Sequence, residues 1–168
     1  LKGRWNFVCF YNTQTKTGYF WTHDAHILPG WVTSAPFRTI FHWFLSESNI
    51  HLMHGAVVGS KDKSILLTAK SGSGKSTTAL SCLLAGMDYL ADDYVAIHYP
   101  DGALLPTAHS LYHSAKITED GMKFFPEIKE RIWNTDFETR EDKREKALFF
   151  LMDHFPHQVK RRATLDAI

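Results

Sequence analysis

The stretch Ala69-Lys70-Ser71-Gly72-Ser73-Gly74-Lys75-Ser76 constrains the fold of this chain more than any other. It follows an apolar run, Ile65-Leu66-Leu67-Thr68, and leads into a helical pattern over 76–85 that Gly86 ends. Strand, Gly-rich turn, Gly-Lys-Ser and helix in that order make the layout of a phosphate-binding P-loop. Ala69 stands where the usual pattern has glycine. Each residue type has a physical task. Gly72 and Gly74 let the main chain curl so that several N–H groups point at one anion. The helix that follows adds its unpaired N–H groups and the positive end of its dipole. Ser71, Gly72, Ser73, Gly74, Lys75, Ser76 and Thr77 therefore form the expected cradle for a nucleoside triphosphate. Lys75 supplies a compact positive charge, and Ser76 a hydroxyl ligand for Mg²⁺.

A phosphate cradle needs an acid to hold or orient the metal and, for group transfer, a way to activate the acceptor. Asp92-Asp93 follow the extended segment Tyr89-Leu90-Ala91 and are the candidates. Two adjacent carboxylates repel, and a bound Mg²⁺ relieves that repulsion and keeps both ionised; Asp92 is the expected metal ligand beside Ser76. His54 opens the apolar run Gly55-Ala56-Val57-Val58-Gly59, which a polar turn over 60–63 separates from the strand at 64–68. Two strands joined by four polar residues read as an antiparallel hairpin. His54 reaches the loop only if the strand directions bring both to the same end.

The other segments give a coarse outline. Residues 4–11 and 18–22 read as a strand hairpin rich in aromatics: Trp5, Phe7, Phe10, Tyr11, Tyr19, Phe20 and Trp21. Sheet packing explains those aromatics better than base stacking. Phe37, Ile40, Phe41, Phe44 and Leu45 mark one apolar face of a helix over 35–47, with Thr33 and Ser34 as cap candidates. Strands are expected at 89–91, 94–99 and 147–152, and a short helix opens at Pro126. The charge run 138–146 and the triplet Lys160-Arg161-Arg162 read as solvated surface. The expected architecture is α/β, a mixed sheet flanked by helices. Residues 1–34 are expected to form an N-terminal hairpin segment of the same domain, and residues 35–168 a P-loop kinase-like core that is expected to be incomplete at its C-terminal end.

Composition narrows the partners. With 168 residues, 44% hydrophobic and 22% charged, the chain suits one globular domain. A net charge of +1 gives no case for nucleic acid or a membrane surface as partner. Cys9 and Cys82 belong to no C-x-x-C pair, which fits a reducing cytoplasm.

His54-Gly55, the Ser71–Ser76 loop, Thr78-Ala79-Leu80, Gly86 and Ala91-Asp92-Asp93 together resemble the catalytic core of HPr kinase/phosphorylase and its bacterial relatives. These include free-serine kinases and kinases that modify peptide natural-product precursors. The resemblance covers residues 52–99, and three separated motifs agree in spacing. It implies a PEP-carboxykinase-like fold with ATP and Mg²⁺ as cofactors. It also implies catalytic roles for Lys75 at the phosphates and for Asp93 as the group that takes the acceptor's proton, with Asp92 and His54 in support. The implied reaction is γ-phosphate transfer to a serine-type hydroxyl on a small molecule or peptide. Related enzymes assemble, so a homo-oligomer is among the expectations. The bifunctional members carry a later signature with an Arg-Gly pair and a metal-binding Glu. Here the corresponding stretch, Ser110 to Ile117, has no Glu. Glu119 and Asp120 are the residues nearest to taking its place, and Lys116 is instead expected to reach the phosphates. The resemblance therefore points to a kinase-type relative with no evident reverse activity, and gives no ground for HPr itself as substrate. The competing readings are an NTPase switch that hydrolyses ATP or GTP without an acceptor, and a binding module without turnover.

Overall fold

The computed structural model describes residues 7–135 and 146–168. It is a mixed α/β fold with several small sheets and few helices. Strands β1 (Phe7–Asn12) and β2 (Thr17–Thr22) pair antiparallel, as the sequence predicts. A short helical turn, α1 (Gly30–Thr33), precedes α2 (Arg38–Ser46). Then come β3 (Ile50–Met53), β4 (Ala56–Ser60), β5 (Lys63–Leu67), α3 (Lys75–Leu84), β6 (Asp88–Ala91) and β7 (Val95–His98). The C-terminal part adds β8 (Thr107–Ser110), β9 (Ser114–Ile117), α4 (Glu119–Met122), a 3-10 helix (Pro126–Arg131), β10 (Ala147–Phe150) and β11 (Arg162–Thr164).

In place of one mixed sheet, the described residues form four, ordered β1-β2, β10-β9, β11-β8-β7-β3 and β5-β4-β6. Every ladder between named strands is antiparallel. Parallel pairing occurs in two isolated bridges, Ile65 with Ala167 and Tyr89 with Val159. Among the described residues parallel pairing is confined to those two bridges, since β5 and β6 each pair antiparallel with β4.

Strand β4 is the centre. Its Ala56, Val57, Val58 and Gly59 are all buried, because the sheet is covered on both faces. Alternation along the strand sends Ala56 and Val58 into one core with Ala79, Leu80 and Leu83 of α3 and with Ala115, Ile117, Ala147 and Phe149 of β9 and β10. Val57 turns the other way, meeting Leu66, Leu90, Val95 and Ala108 between the two larger sheets. Leu83 is 0% exposed. Leu83→Ala is therefore expected to lower unfolding free energy by about 2–5 kcal/mol, read from denaturant titration.

Three differences from the sequence reading have local causes. Helix α2 starts at Arg38, because Phe37 adopts a left-handed φ of 57° and leaves Pro36 outside the helix. Ser34 closes α1, its N–H bonding to Gly30 O at 2.8 Å, where an N-cap for α2 was expected. The run 54–59 is shorter at its start, since β3 ends at Met53 and β4 begins at Ala56. In the hairpin, Phe7 and Phe20 stack at 5.1 Å on the inner side, whereas Phe10, Tyr19 and Trp21 are each 60% exposed. Trp5 and most of the charge run at 138–146 lie outside the described residues. Among the described residues no helix is long and apolar enough to cross a membrane.

Candidate functional site

The register of the β5-β4-β6 sheet decides whether the separated motifs meet. Ala56 faces Leu67, and Val57 faces Ala91. The start of β4 therefore lies beside the ends of β5 and β6. His54, the 69–76 loop and Asp92-Asp93 all emerge at that one edge, which settles the question of strand direction. Gly55 permits the close approach there. A Cβ on it would lie 2.9 Å from Leu66 Cδ1 and 3.0 Å from Leu67 O.

The loop takes its shape from Gly72 (φ 80°) and Gly74 (φ 93°), both left-handed. A side chain would meet nothing within 4 Å at either position, so conformation, and not space, calls for glycine. The first intrahelical bond of α3 runs from Thr78 N to Gly74 O at 2.8 Å. The N–H groups of Lys75, Ser76 and Thr77 precede it and have no acceptor within the helix. Lys75 Nζ donates to Ala69 O at 2.7 Å and to Lys70 O at 3.0 Å, so the ammonium lies over the loop.

Asp92 and Asp93 have different surroundings. Asp92 is 5% exposed and accepts a hydrogen bond from Ser76 Oγ at 2.9 Å. Burial pushes its carboxyl up to about 6, despite the Ser76 bond, and the neighbouring Asp93 charge adds to the rise. Asp93 occupies a left-handed turn at φ 78°, a region that Asp and Asn enter more readily than other side chains. Its Oδ1 lies 2.9 Å from His54 Nε2, and its Oδ2 accepts a bond from Lys116 Nζ. Burial alone would raise this carboxyl. Lys116, by charge and hydrogen bond, with His54 and Lys146 adding, holds it below the usual carboxylate range.

A cleft of about 150 Å³ joins these parts. It is lined by His54, Ser71, Gly72, Gly74, Lys75, Ser76, Thr77, Asp93, Lys116, Ile117, Thr118 and Lys146. Of the predicted residues, Ser73 is outside this lining and Asp92 lies behind Ser76. Sequence reading did not place Thr118 here, and it assigned Lys146 to a solvated charge run. Strand alternation carried a usable signal, because Ser114, Lys116 and Thr118 alternate with Ala115 and Ile117. Glu119 and Asp120 do not line the cleft, and Asp120 pairs with Lys123 at 2.7 Å on the surface. Beside His54, the Tyr94 ring lies 5.7 Å away, and Arg38 Nη1 donates to Tyr94 Oη at 2.5 Å. A larger cleft of about 620 Å³ opens at the far end of β4 between Lys63, Asp88, Lys160 and Arg162. None of the predicted site residues lines it.

The residues present fit a divalent cation in one respect. A hydroxyl and a carboxylate stand together, and the carboxylate is disfavoured as an anion by burial and by a second carboxylate. Mg²⁺ is commonly held by one or two such side chains, with substrate phosphates and water completing its shell. Among the described residues no group of three or more His, Cys, Asp or Glu side chains forms a metal cage.

No family model and no curated protein sequence matches the chain. Among solved structures, it is similar to the Hpr(Ser) kinase/phosphatase from Coxiella burnetii, with 13% identity and a TM-score of 0.47. That match covers 68% of this chain and 55% of the other, so the chain spans about half the length of that protein.

Proposed function

We propose that this chain is an ATP- and Mg²⁺-dependent kinase that transfers the γ-phosphate to a serine-type hydroxyl on a small molecule or peptide. The observation that carries this reading is the meeting of three separated stretches at one cleft: the glycine loop, His54 and Asp93 in its lining, with Asp92 behind Ser76. The loop, read as a P-loop, offers main-chain N–H groups and Lys75 to the phosphates. Ser76 and Asp92 would hold Mg²⁺, which would supply positive charge against the charge of the phosphates. Asp93 accepts the proton of the attacking hydroxyl, and Lys116 and His54 fix where its two oxygens point. Phosphoryl transfer passes through a loose transition state, so positioning and charge matter more than a strong base. A carboxylate held ionised by neighbouring cations suits that task.

Incubation with γ-labelled ATP, Mg²⁺ and a panel of serine, threonine and Ser-containing peptides is expected to label an acceptor. Steady release of free phosphate with no acceptor labelled would favour the hydrolysing switch. ATP bound and left unchanged would favour a binding module.

A further inference from the structure

We propose that Lys146 is a phosphate-binding residue of this cleft, standing across from the glycine loop and reading the polyphosphate part of the ligand. This rests on the nucleotide-binding reading above. The placement follows from the β9–β10 ladder, in which Leu148 faces Lys116 and Ala147 faces Ile117. Ala147 and Ile117 point into the core. Alternation then puts Lys116, Thr118, Lys146 and Leu148 on the opposite face, and the first three line the cleft.

The main chain at Lys146 is fixed. Asn134 is 4% exposed, and its Nδ2 donates to Lys146 O at 2.9 Å while its Oδ1 accepts from Leu148 N at 2.7 Å. A buried amide with both ends used holds the strand entrance in one position. The other cations of the cleft are engaged, Lys116 by Asp93 and Lys75 by the loop carbonyls. Lys146 has no acidic partner at ion-pair distance among the described residues. A cation on a held main chain, without an ion-pair partner among the described residues and facing unpaired helix N–H groups across a small cleft, favours an anion between them. An ammonium acts on phosphate as a point charge, so its effect scales with the charge of the phosphate chain.

The test uses the wild-type chain, Lys146→Gln and Lys146→Arg, titrated calorimetrically with ATP, AMP and inorganic tripolyphosphate at low salt. The Asn134 bonds go to main-chain groups and survive either substitution; Lys146→Met serves as a second neutral variant, and thermal melts check the fold. Lys146→Gln is expected to weaken ATP and tripolyphosphate by about tenfold, the scale of one charge-assisted contact. It should leave AMP unchanged, and Lys146→Arg should restore most of the loss. Equal tripolyphosphate affinity in wild type and both neutral variants overturns the role of Lys146 and leaves the nucleotide reading standing. A wild-type chain that binds neither ATP nor tripolyphosphate overturns both.

Discussion

Asp93→Asn is expected to lower phosphoryl transfer by about 10²–10⁴-fold, the range associated with loss of a positioned acid–base group, while nucleotide affinity holds or rises. Asn keeps the side-chain shape and tolerates the left-handed φ of 78°, so the turn between β6 and β7 is preserved. What disappears is one negative charge and the proton acceptor. Lys116 and His54 lose their anionic partner and leave the cleft more positive, which favours a polyphosphate. Single-turnover transfer and calorimetric binding on the same preparation check both halves. Loss of binding together with transfer would make Asp93 a residue of metal binding or folding, and would sink its role as proton acceptor.

Lys116→Met should remove most transfer by a different route. The Lys116 side chain is 12% exposed and that of Asp93 is 24%, so solvent screens the pair only in part. Breaking a wholly buried pair costs about 3–5 kcal/mol. With partial solvation, and with His54 still beside Asp93, the loss here is expected to be about 1–3 kcal/mol. Met keeps the aliphatic stem, so the core side of β9 is little disturbed. A double-mutant cycle separates the two roles open to Lys116. If it acts through Asp93, Lys116→Met costs little further activity in the Asp93→Asn background. If it acts on the phosphates, the two losses add and ATP affinity falls in both backgrounds.

The parts of the cleft legible in the sequence are those that are local in the chain. The glycine loop declares itself by spacing, because a left-handed turn feeding a helix tolerates few residues. The polar stretch 60–63 announces the β4–β5 hairpin, whose turn proper is Lys61-Asp62, and from that hairpin the position of His54 follows once the register is known. Lys116 and Lys146 were harder to see for a physical reason. Lys116 lies in one four-residue strand and Lys146 directly precedes another, and the two are brought to the cleft together only by a long-range ladder. Lys146 also ends a run of charges whose ordinary meaning is solvent. Phe37 shows the limit of periodicity. The apolar spacing of 37, 40, 41, 44 and 45 fits a helix through all five, yet the main chain turns left-handed at the first.

The two walls of the cleft belong to different pieces of structure that share one interior. Lys75 and Ser76 begin α3, whose Ala79, Leu80 and Leu83 pack in the same core as Ala115, Ile117, Ala147 and Phe149. Lys116 and Lys146 stand on the reverse side of those same two strands. The gap that the proposed phosphate chain would fit is thus gauged by core side chains, of which only Ile117 lines the cleft. A methyl group gained or lost at Ile117 or Leu80 resets the spacing between opposing cations. In this architecture, tuning the chemistry and tuning the core are one operation.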